Sequence, residues 1–126
     1  TGSRNPRPIH LVGRIKIFMR DRQVTELHHG DCTGWDEQAF WAARTLGIKT
    51  VAHPPLSNEW RAFTSSDVVL EPMPYLDRNK DIVSACDFLI AAPEGPERQR
   101  SGTWSTVRHA KRVGCRGVVW MSGAAE

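Results

Sequence analysis

The chain predicts an α/β fold, a single domain in which a parallel sheet carries helices on both faces. Three observations lead there. Apolar residues recur at helical spacing in several segments, and short β-branched or apolar runs separate those segments. One run, Phe88-Leu-Ile-Ala-Ala92, is apolar throughout, as in strands buried on both sides of a parallel sheet. Strand and helix alternate along the chain, a rhythm that calls for right-handed crossovers rather than hairpins.

Each element follows from its residues. From Pro8 to about Asp21, the residues Ile9, Val12, Ile15, Phe18 and Met19 mark a helix. Val24-Thr-Glu-Leu-His28 is short and partly alternating, and reads as a strand. His29-Gly-Asp-Cys-Thr-Gly34 has turn composition. Trp35 to Leu46 is amphipathic, with Ala39, Phe40, Ala43 and Leu46 inward, and Gly47 stands where helices end. Ile48 to Ala52 is a second strand, closed by His53-Pro54-Pro55. Ser57 to Ser66 is irregular or loosely helical, and Val68 to Leu70 is a short strand stopped by Pro72 and Pro74. Tyr75 to Ala85 reads as a helix, with Leu76, Ile82, Val83 and Cys86 as its apolar set. Phe88 to Ala92 is the next strand, Pro93 to Ser101 a polar loop, Thr103 to Val113 the last helix and Gly117 to Met121 the last strand. No repeat or linker interrupts this order, so residues 1–126 are expected to form one Rossmann-like domain. Ligands of such sheets sit beyond the carboxyl ends of the strands, where loops feed helix amino termini.

A length of 126 residues suits one domain with a real core, and 40% apolar with 25% charged residues is ordinary for a globular chain. No apolar run approaches the roughly 20 residues of a membrane span. The amino terminus lacks the basic-then-apolar layout of a signal peptide, so a cytoplasmic protein with no membrane partner is expected. Cys32, Cys86 and Cys115 are odd in number and show no C-x-x-C spacing, which points to buried free thiols. The net charge of +3 is mild and spread out, favouring anionic ligands without implying nucleic acid.

Three loops share one composition. His29-Gly30-Asp31-Cys32-Thr33-Gly34 follows a strand and opens a helix, as does Ser101-Gly102-Thr103, and Thr1-Gly2-Ser3-Arg4 precedes the first helix. Glycine lets a backbone approach a ligand, and a helix amino terminus offers free N–H groups at the positive end of its dipole. Ordinary capped turns would look similar one at a time. Three in equivalent places predict an anion site built from Gly2, Ser3, Arg4, Gly30, Asp31, Gly34, Ser101, Gly102 and Thr103, while Arg78 by itself reads as a solvated charge on a helix face. Asp36 lies in the first turn of a helix, where negative charge is favoured in any case. The cluster His28, His29, Asp31 and Cys32 lacks a second ligand pair, so no metal is expected, and no cofactor either. Trp35 and Trp104 are either base-stacking or packing residues.

Thr1-Gly-Ser-Arg4, His29-Gly-Asp-Cys-Thr-Gly-Trp-Asp36, Arg78-Asn-Lys80 and Ser101-Gly-Thr103, in that order, resemble the SLOG superfamily. That group includes YspA-like proteins, LOG-type phosphoribohydrolases and the Rossmann-like core of DprA. The resemblance spans nearly the whole chain and implies a nucleotide or nucleotide-derived ligand and a homodimer. It also implies a phosphate-binding role for Arg78, since an arginine in the matching LOG motif takes part in binding and catalysis. LOG-type enzymes place a glutamate three positions after the glycine-threonine pair, and Thr106 stands there in this chain. A threonine is no carboxylate acid or base, so weak catalysis or none is expected. Two rivals remain. One is an N-glycosidase of nucleoside monophosphates using Asp31, Asp36 or the Glu94 and Glu97 loop. The other, less favoured, is a DprA-like module contacting single-stranded DNA through Arg98, Arg100, Arg108, Lys111 and Arg112. In SLOG proteins a hydrophobic strand precedes the Thr-Gly-Ser-Arg loop. This sequence begins at Thr1, so that strand lies upstream or its place is filled otherwise.

Overall fold

Leu11, Ile15 and Met19 lie four residues apart on one stripe. In the computed structural model, which describes residues 1–121, they are the buried face of helix α1 (Ile9–Asp21). Strand β1 (Glu26–His29) leads to α2 (Trp35–Thr45), β2 (Lys49–Ala52) and the two-residue β3 (Val68–Val69). Helix α3 (Tyr75–Ala85), β4 (Phe88–Ala91), α4 (Gly102–Val113) and β5 (Arg116–Val119) follow.

Helix ends obey local chemistry. Ser101 caps α4 by accepting the Trp104 N–H at 3.2 Å, and Gly114 ends it in the left-handed region at φ 77°. Asp36 and Glu37 sit in the first turn of α2, Lys111 and Arg112 in the last turn of α4, each matching the local end of the helix dipole. Gly47 follows α2 at φ 72°, as its position in the sequence implied. Leu46 departs from expectation: it lies past the last helical residue and is exposed. Leu76 is likewise exposed.

All strand pairs are parallel, as expected, but the ladder falls into two parts. One is β1-β2-β3, with Glu26 opposite Lys49 and Val51 opposite Val68; the other is β4-β5, with Phe88 opposite Arg116. One helical layer spans both. Leu11, Ile15 and Met19 of α1, with Trp35, Ala39, Ala42 and Ala43 of α2, pack on Ala92 and Trp120 and reach Leu27, Ile90 and Val118. On the opposite face Val83, Val107 and Ala110 from α3 and α4 cover Leu89 and Ala91. Successive residues of β4 therefore enter opposite cores, which is why its run is apolar throughout. Among the described residues no helix is long and apolar enough to cross a membrane.

Candidate functional site

A cavity of about 640 Å³ opens beyond the carboxyl end of β4. Its walls are the segment Thr1–Asn5, part of the loop after β4 (Pro93–Pro96, Arg98 and Arg100), the start of α4 (Ser101–Trp104) and residues of α3. Of the residues predicted from sequence, Gly2, Ser3, Arg4, Arg78, Ser101, Gly102 and Thr103 line this one space. Gly30, Asp31 and Gly34 do not.

The glycines serve different ends. A Cβ at Gly2 would stand 2.5 Å from Cδ1 of Trp35, so this glycine admits a buried indole that belongs to the core. A Cβ at Gly30 would meet the Arg78 guanidinium and, at 2.8 Å, the Asp36 carboxylate. Gly34 has φ 87° and lies against the Ser3–Arg4 backbone, where the Trp35 N–H donates to the Ser3 carbonyl at 2.9 Å. These three glycines fit the protein to itself. Gly102 is the exception: beyond its chain neighbours and its own helix backbone, nothing lies within 4 Å of a Cβ built there, and it lines the cavity as the first residue of α4.

Arg78 lines the cavity, but from below. The expectation of a guanidinium reaching out to phosphate meets a side chain that is buried and already partnered. It donates through Nη1 to the carbonyls of Gly30 and His53 (3.1 Å to the latter) and through Nε to Asn79 Oδ1 at 2.7 Å. It joins the ends of β1 and β2 to α3 and forms the floor of the cavity. The cations that stand open at the rim are Arg4, Arg98 and Arg100. Arg4 stacks over Trp60 at 5.4 Å and Tyr75 at 5.2 Å, and neither ring was singled out from sequence. Tyr75 had a legible signal, standing three residues before Arg78 on the same helical face. Trp60, in an irregular loop, had none. Trp104 binds the Gly95 carbonyl through Nε1 at 3.1 Å, which holds the loop to α4.

Asp31 lies outside the cavity lining. It adopts φ 55°, which Asp tolerates better than most residues, and is buried. Its carboxylate accepts the Thr64 N–H and hydroxyl at 2.9 and 2.7 Å and the Arg61 Nε at 3.0 Å. Its own N–H donates to His29 Nδ1, so His29 donates from Nε2 to Ser66, whose hydroxyl meets Thr64 at 2.9 Å. This closed ring pins the segment between β2 and β3 and leaves no oxygen for a ribose. Asp36 does line the cavity and accepts the Cys32 N–H at 3.2 Å. Glu94 lines it too, accepting from Asn5. Thr106 is buried outside the cavity lining, its hydroxyl bonded to the Gly102 carbonyl at 2.8 Å. A carboxylate placed there would enter the core rather than meet a ligand. The basic row offered for DNA is divided: Arg98 and Arg100 face the cavity, while Arg108 is paired with Glu97 and with the carbonyls of Arg98 and Gln99.

Behind the floor, His28 Nδ1 meets His53 Nε2 at 2.8 Å, and His28 Nε2 meets Glu26 at 3.0 Å. Burial pushes the His53 pKa down to about 4, helped by Arg78 and by repulsion from His28 and His29 once these carry protons, and burial also lowers that of His29. Among the described residues no group of three His, Cys, Asp or Glu side chains is placed to hold a metal. Comparison of the chain with protein-family models, curated proteins and solved structures finds no match.

Two outcomes follow. Arg78→Ala leaves two buried carbonyls without their donor, so it should lower unfolding free energy by about 1–3 kcal/mol per orphaned group, read from urea midpoints. The histidines set a pH window. The unfolded chain takes up a proton near pH 6.5, whereas folded His53 does so only near 4. The His53 contribution is therefore full above pH 6.5 and falls on acidification toward 4, by about 1.4 kcal/mol per pH unit, and His29 acts in the same direction. Denaturation at pH 7, 5.5 and 4.5 should show this slope, and His53→Gln should flatten it. An unchanged slope in the variant would show that His53 protonates alike in both states.

Proposed function

We propose that the cavity beyond β4 binds a nucleotide or nucleotide-derived ligand by its phosphate. The observation that carries this reading is the convergence on one space of the Thr1–Asn5 segment, two open arginines of the following loop and the amino end of α4. The first N–H groups of α4 and the positive end of its dipole favour an anion there, and Arg4, Arg98 and Arg100 add full charges. Thr103 and Ser101 supply hydroxyls, although the Ser101 oxygen already accepts the capping bond. Trp60, Tyr75 and Trp104 give flat faces for a base. The motif order that resembles SLOG proteins supports the same ligand class, and with it a homodimer. Three free thiols fit a cytoplasmic setting, the compartment this reading assigns.

Gly102 makes the test clean. A side chain there would occupy ligand space while touching nothing the fold uses. Calorimetry should show nucleoside monophosphates binding and the matching nucleosides binding at least tenfold more weakly. Gly102→Val should cost the monophosphate at least tenfold, equivalent to about 1.4 kcal/mol, with the melting temperature unchanged. Equal affinity for nucleotide and nucleoside would remove the phosphate from the argument.

Asp36 and Glu94 keep a second reading open, because glycosidic cleavage needs a carboxylate beside the sugar to stabilise developing positive charge. Asp36 is held by the Cys32 N–H beside Arg78, and Glu94 by Asn5. With the motif's carboxylate position occupied by buried Thr106, little or no free base should form when nucleoside monophosphates are incubated with the protein and separated chromatographically. Rapid release abolished by Asp36→Asn would make the protein a hydrolase.

A further inference from the structure

Two charged side chains at the floor of the anion cavity each keep a bonding atom that the protein does not use. Asp36 and Arg78 are more than nine-tenths buried, 7% exposed apiece, and both line the cavity. The Asp36 carboxylate takes the Cys32 N–H on Oδ2 and, among the described residues, no donor on Oδ1. Arg78 commits Nε and Nη1 to Asn79, Gly30 and His53, and among the same residues Nη2 meets no acceptor. The two charges do not close on each other as an ion pair. Neither atom is sealed in protein, for each keeps some accessible surface.

The two groups are neighbours. A single Cβ built at Gly30 would stand 2.8 Å from Arg78 Cζ and 2.8 Å from Asp36 Oδ2. Asp36 stands in the wall between this cavity and a hollow of about 530 Å³, whereas Arg78 and Cys32 line the anion cavity and not its neighbour. The fold holds both in place: Asp36 in the first turn of α2, where the dipole favours its charge, and Arg78 by its two carbonyls. Cys32 adds no third charge, because burial and the Asp36 carboxylate raise its thiol above the usual range. A buried carboxylate oxygen without a donor is costly, and a ligand that brings one gains what the fold lacks.

Charge then divides the cavity. A phosphate at the floor would face Asp36 and be repelled, while the rim offers it Arg4, Arg98, Arg100 and the start of α4. What suits the floor is a neutral group that both donates and accepts, and hydroxyls do this. We infer that the floor is a sugar subsite, where Asp36 Oδ1 accepts the proton of one ribose hydroxyl and Arg78 Nη2 donates to the oxygen of the next. The inference rests on the nucleotide reading above and narrows its ligand to ribonucleotides with free 2′ and 3′ hydroxyls.

Calorimetry in EDTA tests this with one base carried on ribose, 2′-deoxyribose, 3′-deoxyribose and 2′,3′-dideoxyribose 5′-monophosphates. The ribonucleotide should bind at least tenfold more tightly than the dideoxynucleotide, since the latter leaves both charged groups unpaired. Asp36→Leu, of similar volume, should bring that ratio to within threefold. Should the leucine form fail to fold, Asp36→Asn keeps an oxygen for the Cys32 N–H and should lower the ratio in the same direction. A ratio near one in the unaltered protein, or a full ratio kept in the variants, would overturn the proposal. The phosphate reading would survive that result as long as monophosphate still outbinds nucleoside, and no binding of any monophosphate would overturn both. Affinity that follows the base and not the sugar would overturn the subsite in favour of a base edge at the floor. Binding lost in EDTA and restored by magnesium would overturn it in favour of a cation joining Asp36 to the phosphate.

Discussion

The guanidinium of Arg78 sits where three elements end. Its bonds to the Gly30 and His53 carbonyls hold the carboxyl ends of β1 and β2 against α3, and its bond to Asn79 fixes the side chain along its own helix. The carbonyls it reaches lie past the last laddered residues, where a parallel sheet runs out of partners and a buried oxygen would otherwise go unbonded. A charged donor strengthens such bonds, and the low dielectric around them raises the cost of losing either partner. Gly30 has no side chain because the guanidinium occupies that volume. Tyr75 lies beneath both Arg78 and Arg4, at 5.3 and 5.2 Å, so the buried arginine also places the ring on which an open arginine rests.

Much of the fold was legible because its determinants are local. The span of α3 follows from Pro74, whose φ of −54° suits the residue before a helix, and from Cys86, which turns extended. The outer limits of the strands were less legible. Val24–His28 became Glu26–His29, and Gly117–Met121 became Arg116–Val119, because a strand ends where its neighbour stops pairing rather than where composition changes. The break in the sheet is a relation between β1 and β4, which lie about sixty residues apart in the chain, and no local pattern encodes it.

The site was half legible for a similar reason. Glycine-rich turns after strands correctly located the carboxyl end of the sheet, but glycine has two uses that composition does not separate. At Gly2 and Gly30 the close approach is by Trp35 and Arg78, members of the protein itself; at Gly102 the space is open. Asp31 and Arg78 are charged residues inside turn and helix motifs, and charge suggests a ligand. Their partners, Thr64 and Arg61 for one and two backbone carbonyls for the other, come from distant parts of the chain. Arg4 was legible as a cation beside a turn; its stacking between Trp60 and Tyr75 depends on an irregular loop that only the folded chain brings near.

The segment Thr1–Asn5 ties β4 to the anion cavity. Its first residues form a ladder with the end of β4, and the same residues with Arg4 and Asn5 form one wall of the cavity. Its placement rests on few bonds: those to Ala92 and Ile90, the Trp35 N–H to the Ser3 carbonyl, and the packing of Gly2 on the Trp35 ring. The ladder to β4 restricts the backbone that positions Arg4. Ordering that wall before a ligand arrives lowers the conformational cost of binding, which is how pre-organisation raises affinity without a new ligand contact. The few bonds that tie Thr1–Ser3 to the end of β4 are thus what hold one wall of the anion cavity still.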